Sequence, residues 1–164
     1  MGISTPCPFI PAHETLGFDC GKESLNKWLV RYSKQSQASG SARTYVVAEG
    51  SRVIGYYSLT VGQVDTAEVP ERVRRGMGWY PIPIILLARL AVDLRYHGKG
   101  IGTGMIRDAI RRSLAISEQA GVRAIMTHPL DDEAIRYYRH FGFVSPPNNE
   151  KHLLLLLKDA KRYL

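Results

Sequence analysis

Ile84-Ile85-Leu86-Leu87-Ala88-Arg89-Leu90-Ala91-Val92, followed after two residues by Arg95-Tyr96-His97-Gly98-Lys99-Gly100-Ile101-Gly102, decides how the rest of this 164-residue chain is arranged. The first part is nearly unbroken in apolar residues, as expected of a strand covered on both faces. The second packs three glycines and two cations into a turn. Beyond it Met105, Ile106, Ala109, Ile110 and Leu114 recur at helical spacing, with Arg107, Arg111 and Arg112 mostly outward. The pattern predicts a helix from about Thr103 to Gln119, stopped at Gly121. A glycine turn between a strand and a helix N-terminus can aim several N–H groups at one point, with the helix adding partial positive charge. That is a socket for phosphate.

Upstream, Pro6, Pro8 and Pro11 make residues 1–20 extended chain or a short edge strand. Leu25, Trp28, Leu29 and Tyr32 form one apolar helical face, and Lys27, Arg31 and Lys34 share its spacing on another. Ser36 to Ser41 reads as a polar loop. Residues 44–48 and 53–61 read as an antiparallel hairpin turning at Glu49-Gly50-Ser51-Arg52. Helix then hairpin disfavours a dinucleotide-binding fold, which opens with the strand and its glycine turn. Pro70 can start a short helix carrying Arg72, Arg74 and Arg75; Gly76-Met77-Gly78 ends it. Together they make a mobile basic arm, either a plain surface loop or a contact for a polyanion.

Downstream, Arg123 to Thr127 is a strand, Asp131 or Asp132 caps a helix through Arg139, and His152 to Lys158 is a final strand. The order describes an α/β chain with a mixed sheet, antiparallel strands first and a parallel pair flanking the glycine turn. The length suits one domain spanning residues 1–164. A net charge of +7 favours polyanionic partners. Cys7 and Cys20 have no metal-type spacing, and the five histidines form no i,i+4 pair, so no metal is expected. The N-terminus lacks the pattern of a signal peptide. The apolar run from Ile82 to Val92 is too short to span a bilayer. A reduced cytoplasmic setting, away from the membrane, follows as the expectation.

Arg95-x-x-Gly98-x-Gly100 between strand and helix resembles the acetyl-coenzyme A signature of the GCN5-related N-acetyltransferase (GNAT) family. Ala134-x-x-Tyr137-Tyr138-x-x-x-Gly142-Phe143 resembles the later helix of that family. A narrower likeness lies in Phe18-Asp19-Cys20-Gly21, Leu25-Asn26-Lys27-Trp28-Leu29, Leu87-Ala88-Arg89-Leu90-Ala91-Val92-Asp93 and Tyr138-Arg139-His140-Phe141-Gly142-Phe143. These are similar to the GNAT toxins of bacterial type II toxin–antitoxin modules. The resemblance implies a GNAT fold, a central mixed sheet flanked by helices. It implies acetyl-CoA as co-substrate, held by Arg95, His97, Gly98, Lys99, Gly100, Gly102 and Thr103 and by the backbone of Leu90, Ala91 and Val92. It further implies an aminoacyl-tRNA acceptor, a homodimer and a ribbon-helix-helix antitoxin. Asp131 stands where many family members have asparagine.

Acyl transfer from a thioester needs a neutral amine and a proton for the departing thiolate. Tyr138 matches the family's proton donor; a phenol with an ordinary pKa of about 10 outlasts a thiol at about 8.5. Tyr137, turned about 100° away on a helix, is expected to be the core tyrosine. No carboxylate stands near as an obvious base. An α-amino group, with a pKa near 8, asks less of one than a lysine does. Arg89, inside an apolar run, should pair with a carboxylate or open onto the acceptor. Lys27, Arg31, Lys34, Arg74 and Arg75 join it as expected RNA contacts, alongside Arg72. Two other readings stand beside the tRNA one: a GNAT for a small amine or a protein amino group, and a basic nucleic-acid-binding protein without activity.

Overall fold

The computed structural model describes residues 2–78 and 80–164; Met1 and Trp79 lie outside the described residues. Among the described residues six strands form one mixed sheet in chain order: β1 (Cys7–Pro8), β2 (Arg43–Glu49), β3 (Arg52–Val64), β4 (Ile82–Val92), β5 (Ala124–Thr127) and β6 (Leu153–Leu156). The helices are α1 (Glu23–Arg31), α2 (Ser33–Ser39), α3 (Glu71–Arg74), α4 (Ile101–Ser117), α5 (Asp132–His140) and α6 (Leu157–Ala160). β1–β2 and β2–β3 are antiparallel, β4–β5 is parallel and β5–β6 antiparallel. The parallel pair is the one expected on either side of the glycine turn. The chain packs as two compact units, Met1–Thr60 with Ala88–Asp108, and Val61–Leu87 with Ala109–Leu164.

In the first unit Phe9, Phe18, Cys20, Leu29, Val46, Val53, Tyr56 and Ala91 form the core, with Leu25 and Trp28 packed against it. Of the apolar face expected of the first helix, Leu29 is buried and Leu25 and Trp28 pack on the core, whereas Tyr32, just past α1, is exposed. Cross-strand stacking of Tyr45 on Tyr57, centroids 5.2 Å apart, ties the hairpin. Gly55 is where α4 comes close to β3. A Cβ there would lie 3.3 Å from both Ile101 and Met105. The polar stretch after α1 is helical rather than a loop as far as Ser39, and Gly40 ends it in the left-handed region at φ +79°. What holds α2 is Gln37: its amide donates to Phe9 O at 3.1 Å and accepts from Thr44 N at 2.8 Å. Polar bonds of this kind leave no apolar period in a sequence.

In the second unit the core is Val64, Val69, Val73, Ile82, Ile84, Ala124, Met126, Leu154 and Leu156. The expected mobile arm is anchored. Val73 of α3 is fully buried, Arg72 forks onto Asp159, and Arg123 donates to the carbonyls of Val73 and Arg75 at 3.0 and 2.9 Å. The final strand stops at Leu156, and Leu157 and Lys158 already belong to α6. Tyr163, beyond α6, lies on Gly142 (φ +89°), where a Cβ would come within 2.6 Å of its ring. Among the described residues no helix is long and apolar enough to cross a membrane.

Candidate active site

The glycine turn is built from below by a carboxylate. Asp93, 1% exposed, directly follows β4 and accepts four hydrogen bonds. One oxygen takes the N–H and Nε of Arg95, both at 3.0 Å. The other takes Arg95 Nη2 at 3.0 Å and the N–H of Asp19 at 3.1 Å. Asp19 returns the bond through its carbonyl to Leu94 N–H at 2.8 Å. Its own carboxylate accepts from Gly21 N–H and Asn26 Nδ2, and these hold its pKa below the usual range. Asn26 Oδ1 closes the knot on Cys20 N–H at 2.8 Å. The Asp19-Cys20-Gly21 and Asn26 motif therefore clamps the chain just ahead of the turn.

Above this clamp, Gly98 and Gly100 take φ +77° and +78°, and nothing lies within 4 Å of where a Cβ would stand on either. The open space is on the exposed side of the turn, and only glycine leaves it clear without backbone strain. The N–H groups at the start of α4, at Ile101, Gly102 and Thr103, are those that a helix leaves without partners. This cradle fits a pyrophosphate such as that of acetyl-CoA. Arg95 is not available as a free phosphate ligand, because its fork is engaged by Asp93. His97 Nε2 lies 2.7 Å from Val92 O and so donates to one of the strand carbonyls expected to face the co-substrate. Lys99 is exposed and rests over the Tyr96 ring at 5.5 Å, and Tyr96 O–H donates to Glu49 at 2.9 Å. Leu90 and Val92 are half-buried, and Ala91 is in the core.

Of the two partners expected for Arg89, a carboxylate or the acceptor, the structure supplies no carboxylate among the described residues. Arg89 is half-buried, and its guanidinium carbon lies 4.1 Å from the centroid of the Trp28 ring. Burial pulls its pKa below the usual arginine value. Lys27, Arg31 and Lys34 are exposed along α1 and α2. In the second unit Arg74 and Arg75 are exposed and line an open depression of about 530 Å³ with Thr66, Glu71, Met77 and Gly78. Arg75 has only a loose contact with Glu71 at 3.8 Å.

Tyr138 lies on α5, which is capped by Asp131, whose carboxylate accepts from Ala134 N–H at 2.9 Å. The residue that replaces the family's asparagine is thus a helix cap. Tyr138 is 6% exposed, against Phe143 at 5.3 Å and Tyr137 at 5.7 Å between centroids. Burial drives its phenol well above the ordinary pKa, with the Thr127 hydroxyl pulling the other way. Thr127 in turn donates to Leu87 O at 2.9 Å. Tyr138 is therefore protonated at neutral pH. The order of burial is the reverse of the expected one: Tyr137 is only half-buried, although its hydroxyl is enclosed and has no partner among the described residues. Burial pushes its pKa up to about 12. Sequence reasoning missed Asp93 and Asn26 as supports and Trp28 as the seat of Arg89. The signal for Asn26 was present in the short motif that follows Asp19.

A model of the acetyltransferase (GNAT) domain matches residues 40–145. A tRNA-acetylating toxin of Mycobacterium tuberculosis (strain ATCC 25618 / H37Rv) is 41% identical over 160 residues, covering 98% of this chain and 96% of that protein. A probable toxin TacT of Sinorhizobium fredii (strain NBRC 101917 / NGR234) is 26% identical over 153 residues, 87% of this chain and 84% of that one. Among solved structures, AtaT complexed with acetyl-methionyl-tRNAfMet has a TM-score of 0.90 at 23% identity, over 98% of each chain. A KacT mutant has a TM-score of 0.89 at 22% identity, over 98% of this chain and 100% of that one. By its match over residues 40–145 and by its likeness along nearly its whole length to the tRNA-acetylating relative, this chain belongs to the GNAT acetyltransferase family.

Proposed function

We propose that this chain is the toxin of a type II toxin–antitoxin pair. It moves the acetyl group of acetyl-CoA to the α-amino group of the amino acid on charged tRNA and so blocks translation. The observation that carries the proposal is the 41% identity, over 98% of the chain, to a tRNA-acetylating toxin. Acetyl-CoA supplies an activated acetyl group as its thioester. Gly98, Gly100, Gly102 and Thr103 hold its pyrophosphate through N–H groups, Lys99 adds charge, and the backbone of Leu90 to Val92 takes its arm. The open cradle above Gly98 and Gly100 supports this part. Tyr138 O–H delivers a proton to the departing sulfur, in keeping with a phenol that burial keeps protonated. Lys27, Arg31, Lys34, Arg74, Arg75 and Arg89 receive the tRNA.

The protein acts in the cytoplasm, where charged tRNA is found, and works as a homodimer. A ribbon-helix-helix antitoxin neutralises it; solved relatives of this fold include AtaT bound to the C-terminus of the antitoxin AtaR and a KacTA–DNA complex. The test is acetylation of a mixed pool of aminoacyl-tRNAs with labelled acetyl-CoA, followed by identification of the modified amino acid. Label on one or a few aminoacyl-tRNAs is the expected result; label on free amines with no requirement for RNA would overturn it. Tyr138→Phe should lower kcat by roughly 10²-fold or more while leaving both KM values near wild type, the range for loss of a general acid. Full activity in that variant would remove the assigned role.

A further inference from the structure

Arg89, Trp28 and Tyr56 form a stack rooted in the core of the first unit. Trp28 lies over Tyr56 with centroids 5.8 Å apart and planes 12° apart. Tyr56 is fully buried, meets Phe18 edge-on at 5.6 Å, and donates its O–H to Leu25 O at 2.7 Å. The indole is therefore fixed from behind. The Arg89 guanidinium carbon lies over the same indole, 4.1 Å from the ring centroid. Yet among the described residues no carboxylate or carbonyl accepts from Arg89. The contrast within the same chain is sharp. Arg95 and Arg72 both spend their forks on aspartates.

No Arg89 nitrogen is enclosed without a partner among the described residues, so the unspent donors of this half-buried guanidinium reach solvent and stand open to a ligand. Stacking on an aromatic face engages the plane of a guanidinium and leaves its in-plane N–H donors for other partners. An immobilised fork with its in-plane donors free matches a bidentate oxyanion. Exposed Lys27 and Arg31 flank Trp28 on α1, so the surroundings favour a polyanion over a lone carboxylate. We infer that Arg89 is a preassembled phosphate fork for the acceptor end of the charged tRNA, and that Trp28 is the positioning residue that sets its plane. This rests on the aminoacyl-tRNA reading and deepens it. Phosphate is the chemistry recognised; coenzyme A carries phosphate too, so the test separates the two sources.

The probe is a tRNA holding its amino acid through a non-hydrolysable amide, titrated against the full chain at increasing KCl. Removing one phosphate contact lowers the slope of log Kd against log salt by roughly 0.7–1. Arg89→Gln should show that drop, together with roughly tenfold weaker binding at low salt. Arg89→Lys should keep the slope and lose affinity, since an ammonium cannot present a planar fork. Trp28→Leu should keep the slope and weaken binding severalfold; Trp28→Phe should recover part of it. In all four, KM for acetyl-CoA should stay within about twofold. A salt line for Arg89→Gln parallel to wild type would overturn the inference. So would weaker binding of coenzyme A with dephospho-coenzyme A unaffected, which would place the phosphate on the donor. Wild-type protein that acetylates no aminoacyl-tRNA would bring down the functional reading itself. Unchanged tRNA binding by Arg89→Gln beside an active wild type sinks only the role of Arg89.

Discussion

Asp93→Asn replaces one carboxylate oxygen by an NH₂ group and leaves the shape almost unchanged. The two oxygens of Asp93 share four donors equally, two on each. Whichever way the amide turns, two of those bonds persist, and the NH₂ faces two N–H donors where an acceptor stood. Arg95 also loses its counter-charge. Bonds to a charged acceptor contribute about 1.5–3 kcal/mol each. The Arg95 side chain is 52% exposed, so water replaces part of what it loses, whereas the Asp93 side chain, at 2%, has no such help. The balance is a loss of roughly 2–4 kcal/mol, a large share of the 5–15 kcal/mol typical of a domain. At about 2–4 °C per kcal/mol for a chain of this size, Tm should fall by roughly 4–16 °C. Thermal and urea unfolding measure it. KM for acetyl-CoA should rise in parallel, because the clamp fixes residues 94 and 95 just ahead of the cradle. A Tm within about 2 °C of wild type with unchanged KM would refute the view that Asp93 organises the turn.

Gly142→Ala should cost at least about 2 kcal/mol in urea unfolding, since it combines a positive φ with a Cβ lodged against the Tyr163 ring. Tyr163→Ala in the same chain should recover the steric part and leave the backbone part; equal costs in both backgrounds would show that the ring plays no role. Tyr137→Phe removes an enclosed hydroxyl that has no partner, so stability at neutral pH should hold or rise by up to about 1 kcal/mol. Because burial raises the folded-state pKa of Tyr137 to about 12 from about 10, its contribution is complete below pH 10 and fades as pH climbs toward 12. Urea midpoints across that window should fall less steeply in the phenylalanine variant, and identical slopes would contradict the assignment.

Those features that depend on local periodicity were legible in the sequence. The strand, glycine turn and helix from Ile82 to Ser117 were readable because an apolar run, the glycines and a helical repeat follow one another without overlap. The end of the last strand was not: Leu153 to Leu157 are all leucine, and all are buried, whether in β6 or at the start of α6. Nor was the order of Tyr137 and Tyr138, because α5 packs aromatic residues around both and spacing alone cannot say which ring goes deeper. The Asp93–Arg95 clamp needs the 3₁₀ turn at Leu94–Tyr96 to bring its two side chains together. The seat of Arg89 on Trp28 joins β4 to α1, and no short motif contains both.

Net charge is the sequence signal that the structure changes most. A total of +7 says only that cations outnumber carboxylates. The structure divides them by what they already do. Arg72 and Arg95 are held by aspartates, and Arg43 and Arg123 donate to backbone carbonyls. Such cations would be lost to a polyanion only at the expense of the fold. Lys27, Arg31, Lys34, Arg74 and Arg89 have no such engagement among the described residues. If the salt dependence of tRNA binding reports counter-ions released from phosphates, each unengaged cation that contacts one contributes to the slope and the engaged ones contribute nothing. Neutralising Arg72 should then lower stability and leave the slope alone, while Arg89 should do the opposite. A basic sequence therefore points to a polyanion only after the arginines that hold the protein together have been set aside.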